Sequence, residues 1–204
     1  MAVIIDFSHA SATKKFIQAA ENSGNSIVIG TTGLSSATQK CIELAQKKIK
    51  ILQAPNMSIG VNVLFYLTKI LAKTLPDSFD PEILEIHHRM KKDAPSGTAV
   101  KLAQIIAEEF GGSLDSLGIM SRVGQTGERK NKTIGVQTLR GGQVIGEHTV
   151  YFISDEERIE ITHRASNRNV FAKGAILAAK WLYQHHATSG LFDMGDVLQL
   201  KNVH

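Results

Sequence analysis

Three short apolar runs occupy the first 57 residues: "AVIIDFS" (2–8), closed by Asp6 and Ser8, "SIVIG" (26–30) and "IKILQAP" (49–55). Each is too short for a buried helix, and each pair is separated by a stretch of helical period. Residues 11–23 set Ala12, Phe16, Ile17 and Ala20 on one helical face and stop at Gly24. "TTGLS" is a loop that offers Ser35 or Ser36 as the N-cap of a second helix over 37–48. Consecutive strands joined through helices are parallel, because a crossover long enough to reverse the chain twice is what a parallel pair requires. The β-α-β-α-β order therefore predicts buried parallel strands in a doubly wound sheet. In such sheets ligands bind at the carboxyl ends of the strands.

The pattern changes after Pro55. "NMSIGVNVLFYLTKILAKTL" (56–75) reads as a long apolar helix after a turn at Gly60, "PEILEIHH" (81–88) as a strand, and "GTAVKLAQIIAEEFGG" (97–112) as an amphipathic helix ending at Gly111-Gly112. Residues 132–165 then form a meander, with hairpin turns expected at Gly141-Gly142 and at Ser154–Glu157. "FAKGAILAAKWLYQH" (171–185) is a helix of small apolar residues, and "GLFDMGDVLQL" (190–200) a short helical tail. The fold class is α/β plus α+β: a partial parallel sheet, and a second part with an antiparallel or mixed sheet and helices. The expected domains are 1–57 with 167–204, and 58–166. The late helix returns to cover the three-stranded sheet.

Composition narrows the function. The net charge of +4 would suit nucleic acid, but the basic residues are scattered and aromatics make up only 6%. Small anionic ligands explain modest positive charge equally well. No run is long enough for a membrane span, and the N-terminus carries no basic leader. Cys41 is alone in a helical stretch and reads as a structural thiol, which fits a reducing, cytoplasmic setting. No metal site is expected, since no second ligand pair stands at metal spacing.

Two loops follow parallel strands: "GTTG" (30–33) and "APNMS" (54–58). Glycine there lets backbone approach a ligand, and Thr31 and Thr32 offer hydroxyls, although most such loops are only turns. The densest chemistry is "EIHHRMKKDAPSGTA" (85–99). His87 and His88 close a strand, so they point to opposite faces. Lys91 follows, with Arg89 and Lys92 adding positive charge. Ser96, Gly97 and Thr98 begin a helix whose first N–H groups and dipole make an anion site. Together these suit a carboxylate-bearing substrate that needs a proton. The plainer alternative is a surface histidine pair, a solvated Lys-Lys and an ordinary cap. Arginines in "TGER" (126–129) and "RGG" (140–142) are, by default, solvated loop residues.

"EIHHRMKKDAPSGTA" resembles the signature of the dihydrodipicolinate reductase family. "GTTG", "APNMSIGVN", "SRVGQTGER", "TIGVQTLRGGQVIGEH", "ERIEITHRASNR" and "SGLFDM" match that family in order, over essentially the whole chain. The resemblance implies a Rossmann-type cofactor domain and hydride transfer from NADH or NADPH to a cyclic imine dicarboxylate in lysine and diaminopimelate biosynthesis. It implies His87 and Lys91 as the catalytic pair, with Lys91 the proton donor, and His88, Ser96, Gly97 and Thr98 as substrate contacts. It implies Gly30, Thr31, Thr32, Ala54, Pro55, Asn56, Met57, Arg168 and Phe171 as cofactor contacts, and a homotetramer joined through the sheets of the second domain. The family's glycine-rich phosphate loop and first strands find no match in this sequence. The strand "AVIIDF" is therefore expected to expose one side, and a chain that binds the dicarboxylate but no cofactor stands as the alternative.

Overall fold

The computed structural model describes residues 2–202. In chain order the elements are β1 (Val3–Asp6), α1 (Ala10–Ser23), β2 (Ser26–Ile29), α2 (Ser36–Ala45), β3 (Lys50–Gln53), α3 (Ile59–Thr74), β4 (Asp80–His87), α4 (Gly97–Glu109), α5 (Leu114–Leu117), β5 (Gly118–Ile119), β6 (Ile134–Arg140), β7 (Glu147–Ile153), β8 (Arg158–Arg164), α6 (Asn169–Gln184), β9 (Gly190–Phe192), α7 (Met194–Val197) and a 3₁₀ turn at Leu200–Asn202. They form two compact units, Met1–Asn62 with Asn169–His204, and Val63–Arg168.

The first unit holds a parallel sheet of order β1-β2-β3-β9. Successive residues of β2 and β3 point to opposite faces, and both faces are covered. Ile27, Ile29 and Ile51 pack with Ile17, Ala20, Ile42 and Ala45 of α1 and α2. Val28 and Leu52 pack with Ala175, Ala178 and Leu182 of α6. Burial on both faces is why these strands read as unbroken apolar runs. Small residues bring α6 close: a Cβ on Gly174 would lie 1.7 Å from the Met57 carbonyl oxygen.

β1 is an edge strand with Ile5 43% exposed; the exposed side agrees with the expectation for this strand, and the run is not buried on both faces as its apolar composition suggested. Three further details differ from the reading of the sequence. Thr13, not Phe16, joins Ile17 and Ala20 on the buried face of α1; its hydroxyl donates to Asp6 at 2.7 Å, which supplies the partner a buried hydroxyl needs. Gly60 lies inside the first turn of α3 and not before it. "GLF" is a strand, not part of a helical tail. β9 pairs with β3, and Phe192 packs edge-on against Trp181 and His185. Ser35 caps α2, and Gly24 ends α1 at φ 63°, as their residue types favour.

The second unit is a mixed sheet of order β5-β6-β4-β7-β8, with α4 on one face. β4 is central, parallel to β6 and antiparallel to β7. The expected hairpin at Gly141-Gly142 therefore does not form: β6 and β7 flank β4 instead of pairing, and the glycines belong to a longer connection. The hairpin at Ser154–Glu157 does join β7 to β8, closed by the Ser154 N–H on the Glu157 carbonyl at 2.8 Å. The core is Ile83, Val136, Val150 and Phe152 from the sheet against Ala99, Leu102, Ala103 and Ile106 of α4. At the far end of β4, Arg129 and Arg122 both bind Glu82, so Arg129 is a fastening for its loop and not a solvated residue.

Candidate functional site

Glu85 and His87 lie two residues apart on β4 and share the face that α4 covers. The Glu85 side chain is fully buried, and an unpaired carboxylate there would be costly. Arg140, the last residue of β6, meets it with two hydrogen bonds of 2.8 Å, one to each oxygen. His87 Nδ1 lies 2.5 Å from Oε2. The Ser96 N–H at 2.9 Å and the Thr138 hydroxyl at 3.2 Å donate to Oε1. Burial pushes the Glu85 carboxyl up. The hydrogen bonds from His87, Arg140 and the Ser96 N–H outweigh burial and hold it well below the usual carboxylate range.

The turn after β4 is built on this carboxylate. Arg140 Nη2 also donates to the Asp93 carbonyl at 2.7 Å, and the Gly141 N–H to the His87 carbonyl at 3.0 Å. Ser96 caps α4: its Oγ accepts the Ala99 N–H at 3.2 Å and lies 2.9 Å from His148 Nε2. His148 is buried and packs edge-on to His87, ring centroids 5.2 Å apart. Burial, followed by the neighbouring His87, pushes its pKa down to about 3. Lys91 Nζ is held by both oxygens of Asp93, at 2.8 and 2.9 Å. That hydrogen bond holds the Asp93 carboxyl below its ordinary value. The cationic cluster expected around Lys91 is thus balanced by an acid on the same turn, while Arg89 and Lys92 are exposed.

The structure gathers His87, Lys91, Ser96, Gly97 and Thr98 on one strand-turn-helix. His88 is half-buried, with Nε2 3.3 Å from Arg168 Nη2. A Cβ on Gly97 would meet nothing within 4 Å, so open space faces the start of α4. In the first unit, Gly30, Thr31 and Thr32 follow β2, and Ala54, Pro55, Asn56 and Met57 follow the adjacent β3. Thr32 and Pro55 are exposed; Ala54 and Met57 are buried. The Gly30 N–H donates to the Asp6 carbonyl at 2.9 Å, and the Phe7 ring, half-exposed, fills the place a Gly30 Cβ would take. Phe171 is half-buried in the first turn of α6. Among the described residues no cluster of His, Cys, Asp or Glu could hold a metal, and no helix is long and apolar enough to cross a membrane.

Glu85, Arg140, Thr138 and His148 escaped the reading of the sequence. The alternation Glu85-x-His87 within a strand was the available signal for the first. Arg140 reads as a loop residue only if β6 is thought to end before it. His148 is joined to Ser96 by the fold alone.

The family model described as "Dihydrodipicolinate reductase, C-terminus" matches residues 60–198, and the one described as "Dihydrodipicolinate reductase, N-terminus" matches residues 1–57. The chain is 50% identical over 200 residues to a 4-hydroxy-tetrahydrodipicolinate reductase of Syntrophus aciditrophicus, covering 98% of this chain and 74% of that protein. It is 49% identical over 199 residues to the protein of the same name in Hahella chejuensis, with the same coverages. Among solved structures, the dipicolinate-bound dihydrodipicolinate reductase of Paenisporosarcina sp. TG-14 superposes with a TM-score of 0.72 at 25% identity, covering 94% of this chain and 71% of that one.

Proposed function

The chain belongs to the dihydrodipicolinate reductase family, oxidoreductases of lysine biosynthesis that use a nicotinamide cofactor. From that premise we propose that it reduces the cyclic imine dicarboxylate to tetrahydrodipicolinate with NADH or NADPH, and that Lys91 and His87 are its catalytic pair. The observation that carries this is the convergence of Lys91, the Ser96–Thr98 helix start and the Glu85-bound His87 on one turn. The dipicolinate in the Paenisporosarcina relative supports a planar dicarboxylate as ligand.

The chemistry divides among the residues. The first turn of α4 has N–H groups without carbonyl partners in the helix, and with the helix dipole they stabilise a carboxylate. Gly97 leaves room for it. His88 contributes a polar ring edge beside the same turn. Lys91 exchanges Asp93 for the substrate and gives up a proton as negative charge develops there. Asp93 sits on an exposed rim, so the exchange costs little. The nicotinamide, when bound, supplies the hydride. Gly30, Thr31, Thr32, Ala54, Pro55, Asn56 and Met57 offer hydroxyls, backbone and an apolar shelf at Phe7, and these fit the nicotinamide and ribose; Arg168 and Phe171 are assigned to the same cofactor. The loops 30–35 and 54–58 contain no cation to meet the phosphates. That observation favours, as second reading, a chain that binds the dicarboxylate but no cofactor.

A homotetramer in the cytoplasm completes the proposal. The face of the mixed sheet opposite α4 exposes Leu139 (50%) and Ile153 (37%), which association through that face would bury.

Titrating the chain with NADH and then NADPH in the presence of pyridine-2,6-dicarboxylate, read by Trp181 fluorescence, separates the two readings. Saturable cofactor binding supports the reductase; dicarboxylate binding alone supports the second reading. Where turnover is measured, Lys91→Ala lowers it by about two orders of magnitude or more. A loss under about threefold refutes Lys91 as the donor.

A further inference from the structure

We propose that Glu85 is a positioning residue that keeps the hydrogen of neutral His87 on Nδ1, making Nε2 the nitrogen that meets the ligand. The ligand part of this statement rests on the proposed reaction; the tautomer part does not.

The argument is a count of donors. Oε1 of Glu85 accepts from Arg140 Nη2, the Ser96 N–H and the Thr138 hydroxyl; Oε2 accepts from Arg140 Nη1 and lies 2.5 Å from His87 Nδ1. Guanidinium and backbone N–H can only donate, and the guanidinium is a permanent cation that spans both oxygens. That pairing holds Glu85 as an ionised carboxylate with no hydrogen of its own. Glu85 is therefore an acceptor throughout, and the short contact to His87 requires the imidazole hydrogen on Nδ1. The direction of the Glu85 titration agrees with this.

Nδ1 faces a carboxylate of no exposure, which turns the Nε2 edge away from it. Among the described residues Nε2 has no hydrogen-bond partner. Its neighbour is Gly146, where a Cβ would stand 3.0 Å from Nε2. His87 is only 8% exposed, and the space beside Nε2 is kept clear because residue 146 lacks a side chain. A neutral His87 presents a lone pair there, and a protonated one presents an N–H, so one nitrogen can take a proton and return it without disturbing the Glu85 contact.

Nitrogen-15 NMR of the histidine rings tests this on the intact chain. The wild type should show neutral His87 as the Nδ1–H tautomer. In Glu85→Gln the amide oxygen takes the three-donor side, and its NH₂ falls on the His87 side, where only the imidazole can become an acceptor. Neutral His87 should then carry its hydrogen on Nε2. Turnover should fall about 100-fold with KM changed by less than about threefold. Gly146→Ala supplies a variant that leaves the Glu85 contacts in place: the His87 tautomer should be unchanged, and binding of pyridine-2,6-dicarboxylate should weaken about tenfold. An Nε2–H tautomer in the wild type, an unchanged tautomer in folded Glu85→Gln, or kcat retained within threefold would overturn the assignment. Failure of the reaction itself looks different: no dicarboxylate binding and no turnover in the wild type, with His87 still Nδ1–H.

Discussion

Ser96 shares its hydroxyl between two elements, accepting the Ala99 N–H at 3.2 Å at the start of α4 and lying 2.9 Å from Nε2 of His148 on β7. His148 is 3% exposed, and its pKa is pushed down to about 3 from an ordinary 6.5, first by burial and then by His87. The unfolded chain binds this proton from pH 6.5 downward, whereas the folded chain refuses it until about pH 3. Between those values the unfolded state holds more protons, so stability falls as pH falls. The neutral His148 contribution is fully present above pH 6.5, and about 2 kcal/mol of it should be gone by pH 5. Urea unfolding at pH 7.5 and pH 5 measures this, and His148→Gln should flatten the difference. Equal pH dependence in the variant would remove His148 as the cause.

Arg140 and Glu85 form the other buried tie of the site. Arg140→Met leaves the Glu85 carboxylate with fewer donors and no counter-charge, and should destabilise the fold by about 3 kcal/mol. Replacing both residues, Glu85→Met with Arg140→Met, should recover a large part of that loss, because no buried charge then remains. Chemical denaturation of the three proteins checks it. A double variant no more stable than Arg140→Met would mean that the network holds the turn by more than charge pairing.

What was legible in the sequence follows the range of the forces involved. β2 and β3 were visible because both faces are buried and their centres, Ile27–Ile29 and Ile51-Leu52, are unbroken apolar runs; Ser35, Ser96 and Gly24 were visible because caps are local. The pairing of β6 with β4 was not, since a strand partner is chosen by the whole sheet, and Gly141-Gly142 looked like a hairpin when read alone. β9 was missed because three residues carry no period. In the site, His87, Lys91 and Ser96 stood together in one segment. Arg140 and His148 reach it from 55 and 52 positions beyond their partners Glu85 and Ser96, a distance at which one sequence holds no signal.

Gly174 gives a sharper test of packing in the first unit. Alanine is the better helix former by about 1 kcal/mol, so Gly174→Ala in α6 would ordinarily stabilise. Here the new methyl would stand 1.7 Å from the Met57 carbonyl oxygen, and backbone cannot swing aside as a side chain does. The substitution should instead cost about 1–3 kcal/mol net and lower Tm. An unchanged or raised Tm would mean that the Met57 segment adjusts, and that its position after β3 is softer than its burial implies.

Gly97 is the opposite case. A Cβ there would meet nothing within 4 Å, and its φ is ordinary, so the fold has no quarrel with a side chain. Gly97→Val should leave the melting temperature close to wild type, since exposed substitutions away from packing usually stay within about 0.5 kcal/mol. It should nevertheless weaken pyridine-2,6-dicarboxylate by about tenfold or more, because the branched side chain occupies the space in front of the α4 amides where the carboxylate is proposed to sit. Calorimetric titration alongside thermal melting reads both. Undiminished binding in a normally folded variant would show that the start of α4 serves only as a cap, and the carboxylate would then have to be sought on the Lys91 side of the turn.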